Sequence, residues 1–101
     1  MFSFLFGGNN LKKALRNGAT IIDVRTVHEY DQGRMKGSVN IPLDRIPANL
    51  ERIKHMEQPI IVCCASGSRS GEAIRFLKQN GIKEIYNGGN WEKLLRIKQS
   101  L

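Results

Sequence analysis

The sequence predicts an α/β protein built on a mainly parallel sheet, with residues 1–101 forming a single domain. Three observations predict it. Short β-branched apolar runs alternate with longer segments whose apolar residues recur at helical spacing. One run, Pro59-Ile60-Ile61-Val62-Cys63-Cys64, is apolar almost throughout, as a central parallel strand covered on both faces must be. The chain of 101 residues is long enough for one hydrophobic core and hardly for two.

The first element is a helix over Asn10–Asn17, with Leu11, Ala14 and Leu15 on one face and Gly18 placed to stop it. Thr20–Val24 reads as a short strand, followed by a turn or short helix over His28–Gln32 that ends at Gly33. Ser38–Ile41 is a second short strand, closed by Pro42. Pro47 opens a helix at its favoured first position, with Ile46, Leu50 and Ile53 at helical spacing. The Pro59–Cys64 strand comes next, then a helix over Arg69–Asn80 with Ala73, Ile74 and Leu77 inward and Gly81 beyond its end. Lys83–Tyr86 is a strand, and Asn87-Gly88-Gly89-Asn90 reads as a turn. Asn90 can cap a last helix in which Trp91, Leu94 and Leu95 share a face.

Composition narrows the class. At 41% apolar and 25% charged residues, the chain reads as an ordinary globular domain. Its two cysteines are neighbours, poor partners for a disulfide, and no secreted-type cysteine framework exists; this points to a reducing, cytoplasmic setting. Two adjacent thiols and two distant histidines do not make a metal-ligand spacing, and no cofactor is implied. The net charge of +7 comes from sixteen Lys and Arg scattered along the chain, without a stripe or motif for nucleic acid. Such a field favours small anionic substrates and acidic partners. The apolar start, Met1 to Phe6, stops at Gly7-Gly8, too short for a signal-peptide core or a bilayer span. It reads as a strand or tail packed on the domain, with a membrane-surface or partner contact as the alternative; the chain reads as a monomer with a core of about residues 11–98.

The chemistry points to Cys64. In open parallel sheets ligands bind beyond the carboxyl ends of the strands, and Cys64 ends one. The following residues, Ala65, Ser66, Gly67 and Ser68, are small, so backbone N–H groups can converge on an anion; the two serines add hydroxyl donors and Gly67 permits a positive φ. A helix N-terminus and the Arg69 guanidinium add positive charge at the same place. All of these favour a partly exposed thiolate nucleophile over a thiol. Counted from Cys63 instead, Arg69 falls at the spacing of cysteine-dependent phosphatases and arsenate-handling enzymes. Strand alternation puts the two thiols on opposite faces, so only one can enter the loop; Cys63 then packs in the core or serves as a resolving thiol.

Residues Cys64-Ala65-Ser66-Gly67-Ser68-Arg69-Ser70 resemble the Cys-x-x-Gly-x-Arg-Ser active-site segment of single-domain rhodanese-like sulfurtransferases. Ile22-Asp23-Val24-Arg25, Glu29-Tyr30, Gly33, Gly37 and Asn40-Ile41-Pro42 resemble that family's N-terminal run, and Gly88-Gly89 with Trp91 its C-terminal signature. The chain differs in having Cys63 where a Tyr is usual, Gly33-Arg34-Met35 for Gly-His-Ile, and Trp91 closer to the glycine pair.

The resemblance implies a rhodanese fold, a central, about five-stranded, mainly parallel sheet with helices on both faces. It implies Cys64 as persulfide carrier, Arg69 as its catalytic cation, and Ala65, Ser66, Gly67, Ser68 and Ser70 as the anion-binding loop. The partners it implies are a small anionic donor such as thiosulfate and a thiophilic acceptor: cyanide, a thiol or a protein. Asp23 and Arg25 either orient the active-site loop or make a structural ion pair, Arg25 with Glu29. A sulfur carrier or interaction module, and a phosphatase or arsenate reductase, are the rival readings. His28, His55, Arg34, Lys36 and Arg75 read as surface, and Trp91 as core or cleft wall.

Overall fold

The computed structural model describes residues 8–101, so the expectation for Met1 to Phe6 lies outside the described residues. Helix α1 covers Gly8–Arg16 and strand β1 Thr20–Asp23; α2 covers Val27–Gln32 and β2 Val39–Asn40. Two 3₁₀ turns, Leu43–Arg45 and Pro47–Asn49, lead into the short helix α3, Leu50–Lys54. Then come β3 (Ile60–Cys64), α4 (Ser68–Gln79), β4 (Ile85–Asn90) and α5 (Trp91–Gln99).

The sheet runs in the order β2-β1-β3-β4, with every pairing parallel. It has four strands among the described residues, not about five, because these residues hold four strand-forming runs and each is used once. Strand alternation splits the interior in two. Ile22, Val24, Ile60, Val62 and Cys64 face α3 and α4, meeting Ile53, Ala73, Ile74 and Leu77. Ile21, Ile61 and Cys63 face α1 and α5, meeting Leu11, Ala14 and Leu94. β3 is buried along its whole length, as its unbroken apolar sequence requires.

Most boundaries shift by a residue or two from the sequence reading, β2 shrinking to Val39–Asn40, and three differences matter more. α1 begins at Gly8, two residues earlier than Asn10. The helix expected from Pro47 is a 3₁₀ turn followed by only five helical residues, Leu50–Lys54. Most consequential, Asn87–Asn90 is strand, and β4 begins at Ile85 rather than Lys83. The register of β3 against β4 slips between Val62, which pairs with Asn87, and Cys63, which pairs with Gly89. Gly88 is thus the extra residue of a bulge. Pairing with the buried β3 overrides the turn preference of Asn and Gly.

Candidate active site

Cys64 ends β3, and the chain folds back over its sulfur before entering α4. Gly67 makes that fold-back possible: it stands at φ +97°, which favours glycine, as the residue preceding α4. Its N–H donates to Cys64 Sγ at 2.9 Å, and the Ser70 N–H approaches the same sulfur at 3.4 Å. The Ser70 hydroxyl is 3.4 Å from Sγ as well. Burial alone would push the Cys64 thiol up. The hydrogen bonds from the Ser70 hydroxyl and from the N–H groups of Ser70, Ser66 and Gly67 outweigh it and hold the thiol below its ordinary range.

Cys63 is the opposite case. Its side chain lies in the other core layer, and burial, with Asp23 beside it, pushes the thiol up to about 12. Of two adjacent cysteines, only Cys64 is held as an anion-ready sulfur.

Several expectations need correction. Cys64 is not partly exposed but fully buried, because the loop turns its N–H groups inward over the sulfur. For the same reason the side chains of Ser66 and Ser68 point outward and are exposed, and their hydroxyls donate nothing to Sγ. Ser70, by contrast, is fully buried against the sulfur.

Arg69 does not place a free cation on Sγ. Its guanidinium makes a fork with Glu29, Nη1 to Oε1 at 2.7 Å and Nη2 to Oε2 at 3.0 Å. Arg69, helped by the Thr26 N–H, holds the Glu29 carboxyl at about 2. The ion pair expected between Arg25 and Glu29 is therefore absent, since the Glu29 carboxylate is already engaged.

Arg25 instead pairs with Asp23, Nη2 to Oδ2 at 2.8 Å, both side chains being buried. Its remaining N–H groups donate to the carbonyls of Glu29 (3.2 Å) and Gly33 (2.7 Å), and Trp91 lies under it at 4.6 Å. Asp23 and Arg25 thus anchor the middle and C-terminal end of α2 on the sheet, and α2 presents Glu29 to Arg69. Trp91 is half-buried, stacked on Arg25 and packed against the core rather than fully inside it. His28, His55, Arg34, Lys36 and Arg75 are exposed, as expected.

Three asparagines secure the loop and the strand end beside it; the sequence reading gave Asn90 its cap on α5 and Asn40 a place in a motif, but Asn87 only a turn. Asn90 caps α5 by accepting from the Lys93 N–H (2.9 Å) and donates to the Ala65 carbonyl (2.6 Å). Asn40 donates to the carbonyls of Asp23 and Arg25, holding the end of β1. Asn87 donates to the Gly67 carbonyl at 3.1 Å and accepts from the Ser70 hydroxyl at 2.7 Å. The available signal was two asparagines flanking Gly88-Gly89, which also fits a plain turn.

Two hollows flank the loop. One of about 480 Å³ lies between the segment after β2 and α4, with Val24, Leu43, Ile46, Ala73 and Phe76 in its wall and Arg69 at its edge. The other, of about 320 Å³, lies between Leu11, Ser66, Gly67 and Asn87–Gly89. No group of three His, Cys, Asp or Glu side chains among the described residues could hold a metal ion.

The sequence model of the rhodanese-like domain matches residues 9–92, most of the chain and both halves of the site. This chain belongs to the rhodanese-like domain family. Among relatives of this rhodanese-like chain is the uncharacterized protein YqhL of Bacillus subtilis (strain 168), 38% identical over 68% of this chain and 54% of that protein. The putative sulfur carrier protein YrkF of the same strain is 34% identical over 66% of this chain and 36% of its own length. The thiosulfate sulfurtransferase GlpE of Stutzerimonas stutzeri (strain A1501) is 32% identical over 73% and 68%. The chain thus spans about half of the first relative and about a third of the second. Among solved structures, a rhodanese with anions from E. coli superposes with a TM-score of 0.67 at 28% identity, covering 74% of this chain and 89% of that one. No helix of the described residues is long and apolar enough to cross a membrane.

Proposed function

We propose that this rhodanese-like domain is a sulfurtransferase that moves a sulfane sulfur from a small anionic donor such as thiosulfate to a thiophilic acceptor, with Cys64 as the carrier. The observation that carries the reading is the Cys64 sulfur itself: buried, gripped by Gly67 and Ser70, and favoured as thiolate.

The chemistry needs nothing further from the protein. The Cys64 thiolate attacks the outer sulfur of thiosulfate, the S–S bond of the donor breaks, and sulfite leaves with the electron pair. The Cys64 persulfide carries the same single negative charge, so the loop N–H groups that held the thiolate can hold the product. Cyanide or an acceptor thiolate then attacks the outer sulfur, and the Cys64 thiolate leaves. No proton or electron is required from outside at either step. Because Sγ has no exposed surface, the arch over it must open to admit a donor. Arg69, tied to Glu29, acts by holding the first turn of α4 rather than as a free cation.

A second reading, in which the persulfide serves one protein partner without cyanide turnover, draws support from the relative named as a putative sulfur carrier. The phosphatase or arsenate-reductase reading loses ground, since its spacing requires Cys63, which faces the opposite core layer.

Intact mass spectrometry after incubation with thiosulfate tests the proposal. The expected result is a gain of one sulfur atom, removed by cyanide, retained in Cys63→Ala and lost in Cys64→Ser. Sulfur gain that follows Cys63 instead, or no gain in any form, overturns it. Ready sulfur gain with negligible thiocyanate production selects the carrier reading.

A further inference from the structure

Asn87 lies on β4, outside the segment that carries the nucleophile, yet it holds two of the residues that grip the Cys64 sulfur, Gly67 and Ser70. Its amide Nδ2 donates to the Gly67 carbonyl (3.1 Å), and Gly67 supplies the shortest contact to Sγ (2.9 Å). Its Oδ1 lies 2.7 Å from the Ser70 hydroxyl, which is itself 3.4 Å from the sulfur. The orientation of the amide is not arbitrary. Oδ1 accepts from the backbone N–H of Gly89 at 2.8 Å, and Nδ2 faces a carbonyl; exchanging the two atoms would set donor against donor and acceptor against acceptor.

The bulge explains how Asn87 gets there. The register slip at Gly88 turns this stretch of β4 relative to β3 and lets the Gly89 N–H close back on Asn87 Oδ1. The side chain then spans from the sheet to the first turn of α4.

The fixed amide constrains the Ser70 proton. Ser70 Oγ has one hydrogen and two neighbours that can accept it, Asn87 Oδ1 and Cys64 Sγ. With Cys64 protonated, the hydroxyl donates to Oδ1 and its lone pair receives the S–H. With Cys64 ionised, the hydroxyl turns to the sulfur, and Oδ1 keeps the Gly89 N–H. We propose that Asn87 is the positioning residue of the Cys64 centre: it holds the Gly67 N–H on the sulfur, and it parks the Ser70 proton while Cys64 is protonated.

The proposal rests on Cys64 being the nucleophile, but its test needs no sulfur transfer. The rate of iodoacetamide alkylation of Cys64, localised by fragment mass spectrometry, is followed against pH. Ser70→Ala removes the proton-parking role, so in that background Asn87→Ala reads the grip on Gly67 alone. There we expect Asn87→Ala to raise the midpoint by about one pH unit, a roughly tenfold loss of thiolate below it. Asn87→Asp, which keeps the acceptor for Gly89 but loses the donor to Gly67, is expected to raise it in the same direction. Both variants are checked for fold by circular dichroism, and Asn87→Asp serves if Asn87→Ala does not fold. A folded variant whose midpoint stays at that of Ser70→Ala overturns the proposal. Failure of sulfur gain from thiosulfate with the midpoint shift intact would instead count against the sulfurtransferase reading alone.

Discussion

The bulge at Gly88 is tight enough to give a quantitative expectation. A Cβ built on Gly88 would lie 2.7 Å from Ile61 Cγ2 and 2.9 Å from Leu94 Cδ2, with the Val62 carbonyl oxygen at 3.4 Å. Ordinary contact begins at 3.4 Å, so the closest approach is short by about 0.7 Å. Neither neighbour can yield cheaply: Ile61 and Leu94 are fully buried between β3 and α5, and Cγ2 is fixed to the Ile61 Cβ. Gly88 has no positive φ, so the cost of Gly88→Ala is steric crowding alone. Overpacking of this kind costs about 1–3 kcal/mol. For a domain of this size about 2 kcal/mol corresponds to a fall in Tm of roughly 8–16 °C. Thermal unfolding followed by circular dichroism measures it. Gly18→Ala is the internal control, because Gly18 has φ +78° and nothing within 4 Å of its Cβ position, which leaves only the backbone penalty of about 1 kcal/mol. A Gly88→Ala protein that melts no lower than Gly18→Ala would refute the packing argument.

Two further expectations concern titration and labelling. The Glu29 carboxyl is held at about 2 against an ordinary 4.5, so its contribution to stability is complete above pH 4.5 and is lost as the pH falls toward 2. The Glu29 and Arg69 side chains are each about one-third exposed, which limits the pair to less than about 1 kcal/mol. In urea titrations the gap between wild type and Glu29→Gln should therefore be present at pH 6 and narrower at pH 3; a constant gap would show that the pair is not its source. For labelling, iodoacetamide at pH 8 should modify Cys64 and leave Cys63 untouched in the folded protein, because the Cys63 thiol is held near 12. Modification of Cys63 at a comparable rate, without unfolding, would contradict its assignment to the opposite core layer.

The fold was legible where local pattern and global packing agree. The apolar run to Cys64 had to be a strand covered on both faces, and alternation along it correctly sent Cys63 and Cys64 to different sides. Pro47 marked an element start, but not that the helix would be short. The Asn87–Asn90 stretch misled because its residues favour turns, while its conformation is decided by pairing with β3, some 25 residues earlier. The convergence of loop N–H groups after Cys64 was legible from the small residues and Gly67. The partner of Arg69 was not, since Glu29 lies 40 residues away and the nearer Arg25 looked equally suitable. Only the geometry reveals that Asp23 already occupies Arg25 and leaves Glu29 free to turn toward α4. A buried Cys64 was only the lesser reading of the sequence, which gives the donors around a sulfur but not how closely they wrap it.

The placement of two adjacent cysteines on either side of one strand has a further consequence. In an unfolded chain Cys63 and Cys64 are near-equivalent neighbouring thiols, open to the same oxidants, metals and electrophiles. The difference in reactivity expected of them holds only while β3 stays seated between its two core layers. The ratio of modification at the two positions is therefore a built-in gauge of sheet integrity, readable from a single peptide. Any condition that loosens the sheet exposes a vicinal dithiol that the folded molecule never shows.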